Sequence, residues 1–408
     1  MNGDHMFARR VRYAVLTLAA GGIAACGDTS TAPLAPTRAA PTTGPDANLV
    51  SDLDDNFLNP FGGGGVFLSN NAVGGNAVIA YARGTDGKLT PSGTFSTGGN
   101  GTGGTGDPLQ SQGAIALTPD HTRLFVVNAG SNTVTEFLVL PKAKLVRIAT
   151  VSSRGIMPVS LAVSNDRLYV LNAGSNSVAG YSIDFLVPIP RPLGTQALTL
   201  GPVVQGASTI GLSPDGRTLV VSERDANLID VVTISNNGTL TLASTTAAHG
   251  GAPFGFEFTD AGQLILSEAG GDAPNGAASS YTISRGGKLN LVSGSVSTHQ
   301  TATCWLVVSK NNRFAYAANA GSGSISAYTI GGDASLKLLD SDGRTGVTEA
   351  GATPLDMSIS RDGKFLYSLE TGAGAVGAFV IHGDGSLTPL AVAGGLPRLG
   401  GLQGMAAF

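Results

Sequence analysis

The sequence predicts an all-β fold, a seven-bladed β-propeller, and three observations lead to this prediction. One unit of about 50 residues recurs seven times between Val66 and Phe408. Each copy consists of short apolar segments separated by Gly, Asn and Asp turns, which is the pattern of a β-meander. Glycine accounts for 59 of 408 residues, about twice its usual share, as a fold with three tight turns per blade requires.

The turns divide each unit into four strands, here termed a to d. A first turn such as Ser213-Pro-Asp-Gly216 or Ser360-Arg-Asp-Gly363 joins strands a and b. A second turn, as in Asn128-Ala-Gly-Ser-Asn132, leads to strand c. A third turn, built around Asp86-Gly87 or Asp384-Gly385, leads to strand d. The repeat therefore predicts seven four-stranded antiparallel blades.

The two ends of the repeat predict how the ring closes. The first unit begins at Gly65-Val-Phe-Leu-Ser-Asn70 with strand b and has no strand a. The final segment, Leu402-Gln-Gly-Met-Ala-Ala-Phe408, resembles the first strand at Gln112-Gly-Ala-Ile-Ala-Leu117 and then stops. We expect the C-terminal strand to complete blade 1, because joining the first and last blades leaves no open sheet edge.

The N-terminus resembles a bacterial lipoprotein signal. Arg9, Arg10 and Arg12 precede an apolar run that ends in Ile23-Ala-Ala-Cys26. We predict a signal peptide over residues 1–25, with an ordinary cleavable signal peptide and a chance cysteine as the alternative.

The predicted signal divides the chain into three segments: the signal peptide, a tether and the propeller. Lipidated Cys26 would begin a flexible tether over residues 26–61, which are rich in Ala, Pro and Thr, and the propeller would span 62–408. The expected location is the periplasmic face of a bacterial membrane, reached through the lipid anchor only. Gly27 slightly favours the outer membrane.

Charge excludes one class of partner. The chain has 24 Lys and Arg against 28 Asp and Glu, a formal net charge of −4, with no basic face, so nucleic acid is not expected as a partner. We expect a monomer whose partner is a small-molecule ligand or an envelope protein.

Three motifs resemble the seven-bladed lactonase family, the 6-phosphogluconolactonase-like and YVTN-type propellers. They are Ser213-Pro-Asp-Gly-Arg-Thr-Leu219, Asn128-Ala-Gly-Ser-Asn-Thr-Val134 and Asp384-Gly-Ser-Leu-Thr388. The resemblance implies lactone hydrolysis, although these motifs are structural and a fold hosts many functions.

The resemblance also bears on individual residues. Arg224, in Ser222-Glu-Arg-Asp225, matches an arginine of the family, and by resemblance would bind a substrate carboxylate, phosphate or lactone oxygen. A surface arginine paired with Glu223 or Asp225 is the alternative. The acid–base residues that the resemblance implies are not reproduced, since Thr209, Gly113 and Val159 stand at their positions.

Two sets of polar residues are expected at one mouth of the central channel. The b–c turns and the loops that enter strand a share one face of a propeller, so we expect their side chains to converge there. The last positions of strand b hold Asn70, Asn128, Asn172, Glu223, Glu268, Asn319 and Glu370. The loops that enter strand a bring Gln112, Gln205, His249, His299, Gln300 and Gln403.

These positions supply the residues of a lactone or ester hydrolase, which needs a general base and a donor for the developing oxyanion. The candidate catalytic residues are Arg224, His299, Glu223, Glu268 and Glu370. The candidate substrate-binding residues are Gln112, Gln205, His249 and Gln300. His299 is the preferred base because the pKa of histidine lies near neutrality.

Other functions remain open at this point. No His/Cys cluster of zinc type is present and no cofactor is expected, but the Asn/Glu ring has the oxygen ligands that Ca²⁺ prefers. Asn side chains at strand ends also commonly close their own turns. The same face could serve a non-catalytic propeller that binds a ligand, glycan or protein, or a structural protein of the envelope.

Overall fold

The computed structural model describes residues 63–184, 189–200, 206–270 and 276–408. The predicted signal peptide, Cys26, the tether and Gln205 lie outside these residues. Within the described residues, 29 strands form seven antiparallel sheets. Each sheet packs against the next through its innermost strand, and together they complete a ring. The predicted seven-bladed propeller is confirmed.

The first four blades are regular four-stranded sheets, in agreement with the repeat. From the axis outwards, blade 1 is β29 (Gln403–Ala407), β1 (Gly64–Ser69), β2 (Ala77–Arg83), β3 (Leu89–Ser96); blade 2 is β4 (Ile115–Leu117), β5 (Arg123–Asn128), β6 (Thr133–Leu140), β7 (Lys144–Ser152); blade 3 is β8 (Pro158–Val163), β9 (Arg167–Asn172), β10 (Ser177–Ser182), β11 (Arg191–Thr199); blade 4 is β12 (Ala207–Leu212), β13 (Thr218–Glu223), β14 (Leu228–Ile234), β15 (Leu240–Ala247).

The other three blades follow the same order, except that the outer strand of blade 6 is split. Blade 5 is β16 (Gly251–Phe258), β17 (Leu264–Gly270), β18 (Ala277–Ile283), β19 (Leu289–Ser297); blade 6 is β20 (Thr303–Val308), β21 (Phe314–Asn319), β22 (Ser324–Ile330) with β23 (Leu336–Leu338) and β24 (Gly346–Val347); blade 7 is β25 (Pro354–Ile359), β26 (Phe365–Glu370), β27 (Ala375–Ile381), β28 (Leu387–Ala393).

The helices of the described residues are two single 3₁₀ turns. They are Pro141–Ala143 and Ala173–Ser175. In these parts of the chain, no helix has the length and apolar character needed to cross a membrane.

The C-terminal strand closes the ring as predicted. β29 pairs antiparallel with β1, with Ala406 opposite Phe67. Arg83 Nε donates a hydrogen bond of 3.0 Å to the carbonyl oxygen of Phe408. The Phe408 ring stacks on Phe67 and on His121 at centroid distances of 6.1 and 5.4 Å. The last residues of the chain therefore bind strands of blade 1 and a turn of blade 2.

The Ser-x-Asp motif of the a–b turns is structural. Ser213 Oγ donates to Asp215 Oδ1 at 2.6 Å, and accepts from the backbone N–H of Thr218 at 3.0 Å. The Ser360–Asp362 pair makes the same bond at 2.6 Å. This side-chain bridge fixes the turn, which explains why the motif recurs with so little variation.

Neighbouring blades are joined through glycines of the c–d turns. Tyr316 of blade 6 donates through its hydroxyl to the carbonyl oxygen of Gly385 in blade 7 at 3.0 Å, and Tyr367 of blade 7 donates to Gly87 in blade 1 at 2.8 Å. Both glycines have a positive φ, +89° and +80°. A Cβ at Gly385 would also collide with the Phe314 ring. The turn glycine is thus required both by its backbone and by the adjacent blade.

Replacing residues 402–408 by a Gly/Ser segment of equal length should destabilise the whole ring. The change removes the β29–β1 pairing and leaves one edge of blade 1 open, so we expect the melting temperature to fall by more than about 10 °C. Circular dichroism at increasing temperature measures this. An unchanged melting temperature would contradict the closure.

Candidate functional site

Several Asn and Glu side chains at the ends of strand b bind side chains of their own blades. Glu268 accepts hydrogen bonds from the backbone N–H of Gly250 at 2.9 Å and from Ser279 Oγ and Ser295 Oγ at 2.5 and 2.6 Å. Ser279 lies on β18 and Ser295 on β19. The Glu268 carboxylate therefore points across strands c and d, away from the axis.

Two asparagines at the same position make the same kind of contact. Asn128 Nδ2 donates to Thr133 Oγ1 and Thr135 Oγ1, at 3.1 and 2.9 Å. Asn319 Nδ2 donates to Ser324 Oγ and Ser326 Oγ, at 3.1 and 2.9 Å. Each amide binds strand c of its own blade.

The expected convergence of these side chains at the channel mouth is therefore wrong. Side chains stand perpendicular to a sheet, whereas the axis of a propeller lies in the plane of each blade, beyond strand a. A residue at the end of strand b consequently faces the space between blades. The described residues also contain no group of three or more His, Cys, Asp or Glu placed to hold a metal ion.

Glu223 forms a buried carboxyl pair with Asp230 of β14. Burial, and to a lesser extent the charge of Asp230, raise the pKa of Glu223 to about 7. Burial also raises the pKa of Asp230, which accepts a hydrogen bond of 2.5 Å from Thr245 Oγ1. We infer that the pair shares a proton at neutral pH, so Glu223 has a partner within its own blade.

The two histidines and Gln300 lie in loops that leave strand d. His249 is exposed and its Nδ1 lies 3.0 Å from Ser295 Oγ on the outer strand β19. His299 is exposed, and Gln300 Nε2 donates to the carbonyl oxygen of Asp342 at 2.7 Å. These contacts are with the outer part of blades 5 and 6, so the structure does not bring the three residues to Arg224. Their functional roles stay predictions.

The axis of the ring is filled by residues 111–113, here called the axial plug. Gln112 Nε2 donates to the carbonyl oxygens of Phe256 and Leu306, at 3.2 and 3.0 Å, and Oε1 accepts from the N–H of Leu306 at 2.8 Å. Gln112 precedes blade 2, whereas these partners belong to blades 5 and 6 across the ring. Both ends of its amide bind the backbone of these blades, so we do not place it in a substrate site.

Other bonds of the plug reach further blades. Ser111 Oγ donates to the carbonyl oxygen of Val159 in blade 3 at 2.9 Å, and the carbonyl oxygen of Ser111 accepts from Trp305 Nε1 in blade 6 at 2.9 Å. Ser160 Oγ donates to the Gln112 carbonyl oxygen at 2.5 Å. The plug thus ties the inner strands of several blades together.

Arg224 lies in the b–c turn of blade 4. Its Nε and Nη2 both bind Asp225 Oδ1 at 2.8 Å. Arg224 is nevertheless only 6% exposed, and its buried Nη1 has no hydrogen-bond partner. The pairing with Asp225 expected for a surface arginine is present, but Asp225 occupies only one side of a buried guanidinium group.

The charge of this group acts on one buried aspartate, Asp107, whose own charge acts on a second, Asp356. Asp107 is 7% exposed; its Oδ1 accepts from the N–H of Gln110 at 3.0 Å, and its buried Oδ2 has no partner. Burial raises the pKa of Asp107 to about 7, against the opposing effects of Gln403 and Arg224. Burial and the charge of Asp107 raise the pKa of Asp356 to about 8. The N–H of Gly404 donates to Asp356 Oδ2 at 2.9 Å.

Arg224, Asp107, Asp356 and Gln403 therefore form a candidate site, here called the axial site. They come from blade 4, the loop before blade 2, blade 7 and blade 1. Sequence reasoning missed Asp107 and Asp356. Asp356 is the one charged residue of the buried strand Pro354–Ile359, which is a signal of a functional or specially paired group. Asp107 follows a glycine-rich loop and carries no comparable signal.

A groove lies elsewhere, between blades 4 and 5 on the opposite face. It has a volume of about 960 Å³ and is lined by turn residues that include Asp215, Arg217 and Arg285. Asp215 already fixes its own turn by accepting from Ser213 Oγ and from the N–H of Arg217. We therefore place the candidate chemistry at the axial site.

Comparison with known families agrees with this architecture. The family model described as Lactonase, 7-bladed β-propeller, matches residues 75–186, 193–286 and 278–394. The chain belongs to the seven-bladed β-propeller lactonase family. No curated protein matches the chain significantly.

Solved structures of the same fold include two bacterial examples. The periplasmic gluconolactonase of Pseudomonas aeruginosa is 16% identical, with a TM-score of 0.64, and the match covers 83% of this chain and 98% of that one. A protein from Lactobacillus plantarum is also 16% identical, with a TM-score of 0.67, covering 85% of this chain and 99% of the other. At this identity the likeness shows the fold alone.

The buried carboxyl groups should make stability fall as pH rises. The pKa of Glu223 and Asp107 is raised to about 7 and that of Asp356 to about 8, above the ordinary value near 4 that applies to the unfolded chain. The folded chain keeps protons that the unfolded chain releases, so stability is lost progressively between about pH 4 and pH 8.

We expect a melting temperature about 5 °C lower at pH 8 than at about pH 5.5, measured by scanning calorimetry. Glu223→Gln cannot release a proton at this position, and should reduce the difference. Equal melting temperatures at the two pH values would show that these groups are not buried as described.

Proposed function

We propose that this chain hydrolyses a small polar lactone at the axial site. One observation carries the proposal: Arg224 Nη1 and Asp107 Oδ2 are a buried donor and a buried acceptor without partners, and the charge of Arg224 acts on Asp107. Unsatisfied buried polar atoms are costly to folding. A ligand that accepts from the first atom and donates to the second would satisfy both.

The residues fit the chemistry of lactone opening. Asp107 Oδ2 would take a proton from a water molecule as the water oxygen bonds to the lactone carbonyl carbon. Arg224 Nη1 would donate a hydrogen bond to the carbonyl oxygen as it becomes negatively charged. The ring C–O bond then breaks, and the proton held by Asp107 passes to the leaving oxygen to give the hydroxy acid. A pKa of Asp107 near 7 suits both transfers.

The substrate class follows from the surroundings of the site. Polar groups from Gln403 and Asp356 stand beside Asp107, which favours a hydroxylated lactone over an apolar one. Membership of the lactonase family supports the reaction, and the gluconolactonase activity named for the P. aeruginosa structure supports a sugar lactone. No metal ion or cofactor has a step in this mechanism.

A non-catalytic binding propeller is the second candidate. The axial plug fills the ring and Arg224 is 6% exposed, so a ligand must reach a nearly closed site. A propeller that only binds a polar ligand or an envelope protein on this face would satisfy the same unpartnered atoms without turnover.

Arg224→Ala and Asp107→Asn test the catalytic proposal on the purified chain with glucono-δ-lactone and γ-butyrolactone. Loss of the oxyanion donor should lower kcat/KM by about 100- to 1,000-fold, and loss of the base by about 100- to 10,000-fold. Because the ionised carboxylate is the base, kcat/KM should rise with pH to a plateau around an apparent pKa of about 7, and this rise should disappear in Asp107→Asn.

His299→Ala separates the axial site from the site first expected from the sequence. Unchanged kcat/KM in this variant supports Asp107 as the base, whereas a large loss supports His299. No turnover of any lactone, together with ligand binding that Arg224→Ala abolishes, would replace the hydrolase by the binding propeller.

We also propose that the propeller is held at the periplasmic face of the outer membrane through Cys26. The lipoprotein-like signal in the sequence supports this. Cys26→Ser should move the protein from the membrane fraction to the soluble fraction after lysis and ultracentrifugation. A wild-type protein found wholly in the soluble fraction would exclude the anchor.

A further inference from the structure

A second cleft lies between blades 6 and 7, away from the axis. It has a volume of about 220 Å³. Its walls come from the end of β26, from β27 and β28, and from the segment after β24. The lining residues that bear on its chemistry are Glu349, Glu370, Gly377, Phe379 and Val392. Val347 and Val392 are 50% and 45% exposed, so apolar side chains stand at its opening.

The cleft exists because the outer strand of blade 6 is interrupted. β23 ends at Leu338, and pairing with β22 resumes only at Gly346 and Val347 in β24. Val347, Thr348 and Glu349 then line the cleft together with residues of β27 and β28 of blade 7. The irregular blade thus provides a wall that regular blades lack.

Glu370 is buried in this cleft without a full set of partners. It is 1% exposed, and its Oε2 has no hydrogen bond. Ser368, which lies on the same face of β26 two residues earlier, also has a buried hydroxyl without a partner. Such groups are rare in folded proteins and call for a ligand or a special function.

Comparison with blade 5 shows what is missing. Glu268 occupies the same position at the end of strand b and is bound by the hydroxyls of Ser279 and Ser295. In blade 7, Glu370 pairs with Ala375 on strand c, and Gly377 follows two residues later at the position that Ser279 has in blade 5. Val392 of strand d lies opposite Gly377. Neither residue can donate from a side chain, and a Cβ at Gly377 would occupy the place of the Glu370 carboxylate.

The ionisable residues that line the cleft, Glu349 and Glu370, are both acidic. Burial, and to a lesser extent the negative charge of Glu349, raise the pKa of Glu370 to about 7. Glu349 is exposed, so its carboxylate remains in contact with solvent while Glu370 lies deeper. A positive charge beside both groups would lower the cost of ionising Glu370.

We propose that the cleft between blades 6 and 7 binds a small organic cation, a primary ammonium group on a short alkyl chain. The ammonium would donate to Glu370 Oε2 and be attracted by Glu349, and the alkyl chain would contact Phe379 and Val392. A primary ammonium has three donors and no acceptor, which matches a carboxylate that lacks donors.

The lining does not suit a divalent metal ion. Ca²⁺ requires six to eight oxygen ligands and Mg²⁺ six in octahedral order, whereas most of the wall is aliphatic or aromatic. Thr348 Oγ1 already donates to the carbonyl oxygen of Gly323 at 2.7 Å. The cleft offers two carboxylates and an apolar wall, which are the features of an amine site.

Titration of the full-length chain with n-propylammonium, followed by isothermal calorimetry, tests the proposal. We expect a dissociation constant between about 0.1 and 10 mM for a ligand of this size, and at least tenfold weaker binding of 1-propanol. No binding up to about 30 mM, or equal binding of 1-propanol, would overturn the proposal.

Variants identify the site. Glu370→Gln removes the charge and should weaken binding more than tenfold, and Glu349→Gln should weaken it about threefold. Gly377→Ser restores the hydroxyl that blade 5 has at this position and fills the cleft, so binding should be lost in this variant. It tests the site independently if Glu370→Gln fails to fold. Asp384→Asn removes one negative charge from a turn on the opposite face of blade 7 and should change binding less than twofold. Wild-type affinity in Gly377→Ser would contradict the site.

Discussion

The pairing of the last strand with the first is the constraint on which the rest of the structure depends. β29 supplies the inner strand of blade 1, and only a closed ring places blade 2 opposite blades 5 and 6. The bonds of Gln112 across the axis require that arrangement. Gln403, the first residue of β29, also stands beside Asp107. Closure of the ring and assembly of the axial site are thus achieved by the same five-residue strand.

A glutamate at the end of strand b has a different electrostatic environment in each of three blades. Glu268 is satisfied by two serines and a backbone N–H, Glu223 is paired with the carboxyl group of Asp230 but has a buried Oε1 without a partner, and Glu370 has a buried Oε2 without a partner. The backbone differs little among these blades, so the side chains of strands c and d decide the state. A repeat can in this way vary its chemistry through the residues that surround a carboxylate, while the carboxylate itself stays in place.

The blade pattern, the turns and the closure could be predicted from the sequence because each depends on local periodicity or on a turn motif such as Ser213 to Asp215. The direction of side chains could not. Glu223, Glu268 and Glu370 lie at the predicted strand ends, yet they face the space between blades. The axial site also depends on the path of residues 107–113 across the ring. Electrostatic interactions between residues about 250 positions apart, such as Asp107 and Asp356, leave no periodic trace in one sequence.

The axial plug has a consequence for how such a protein can evolve. Arrays of repeats commonly gain or lose a unit by duplication or deletion, since each unit contacts only its neighbours. Here the segment before blade 2 binds the inner strands of blades 3, 5 and 6, and the N–H of Gly113 lies 3.5 Å from Asp356 in blade 7. A gained or lost unit would rotate these partners out of reach. The number of blades is consequently fixed at seven. Sequence divergence can then occur only through substitutions and through changes in loop length.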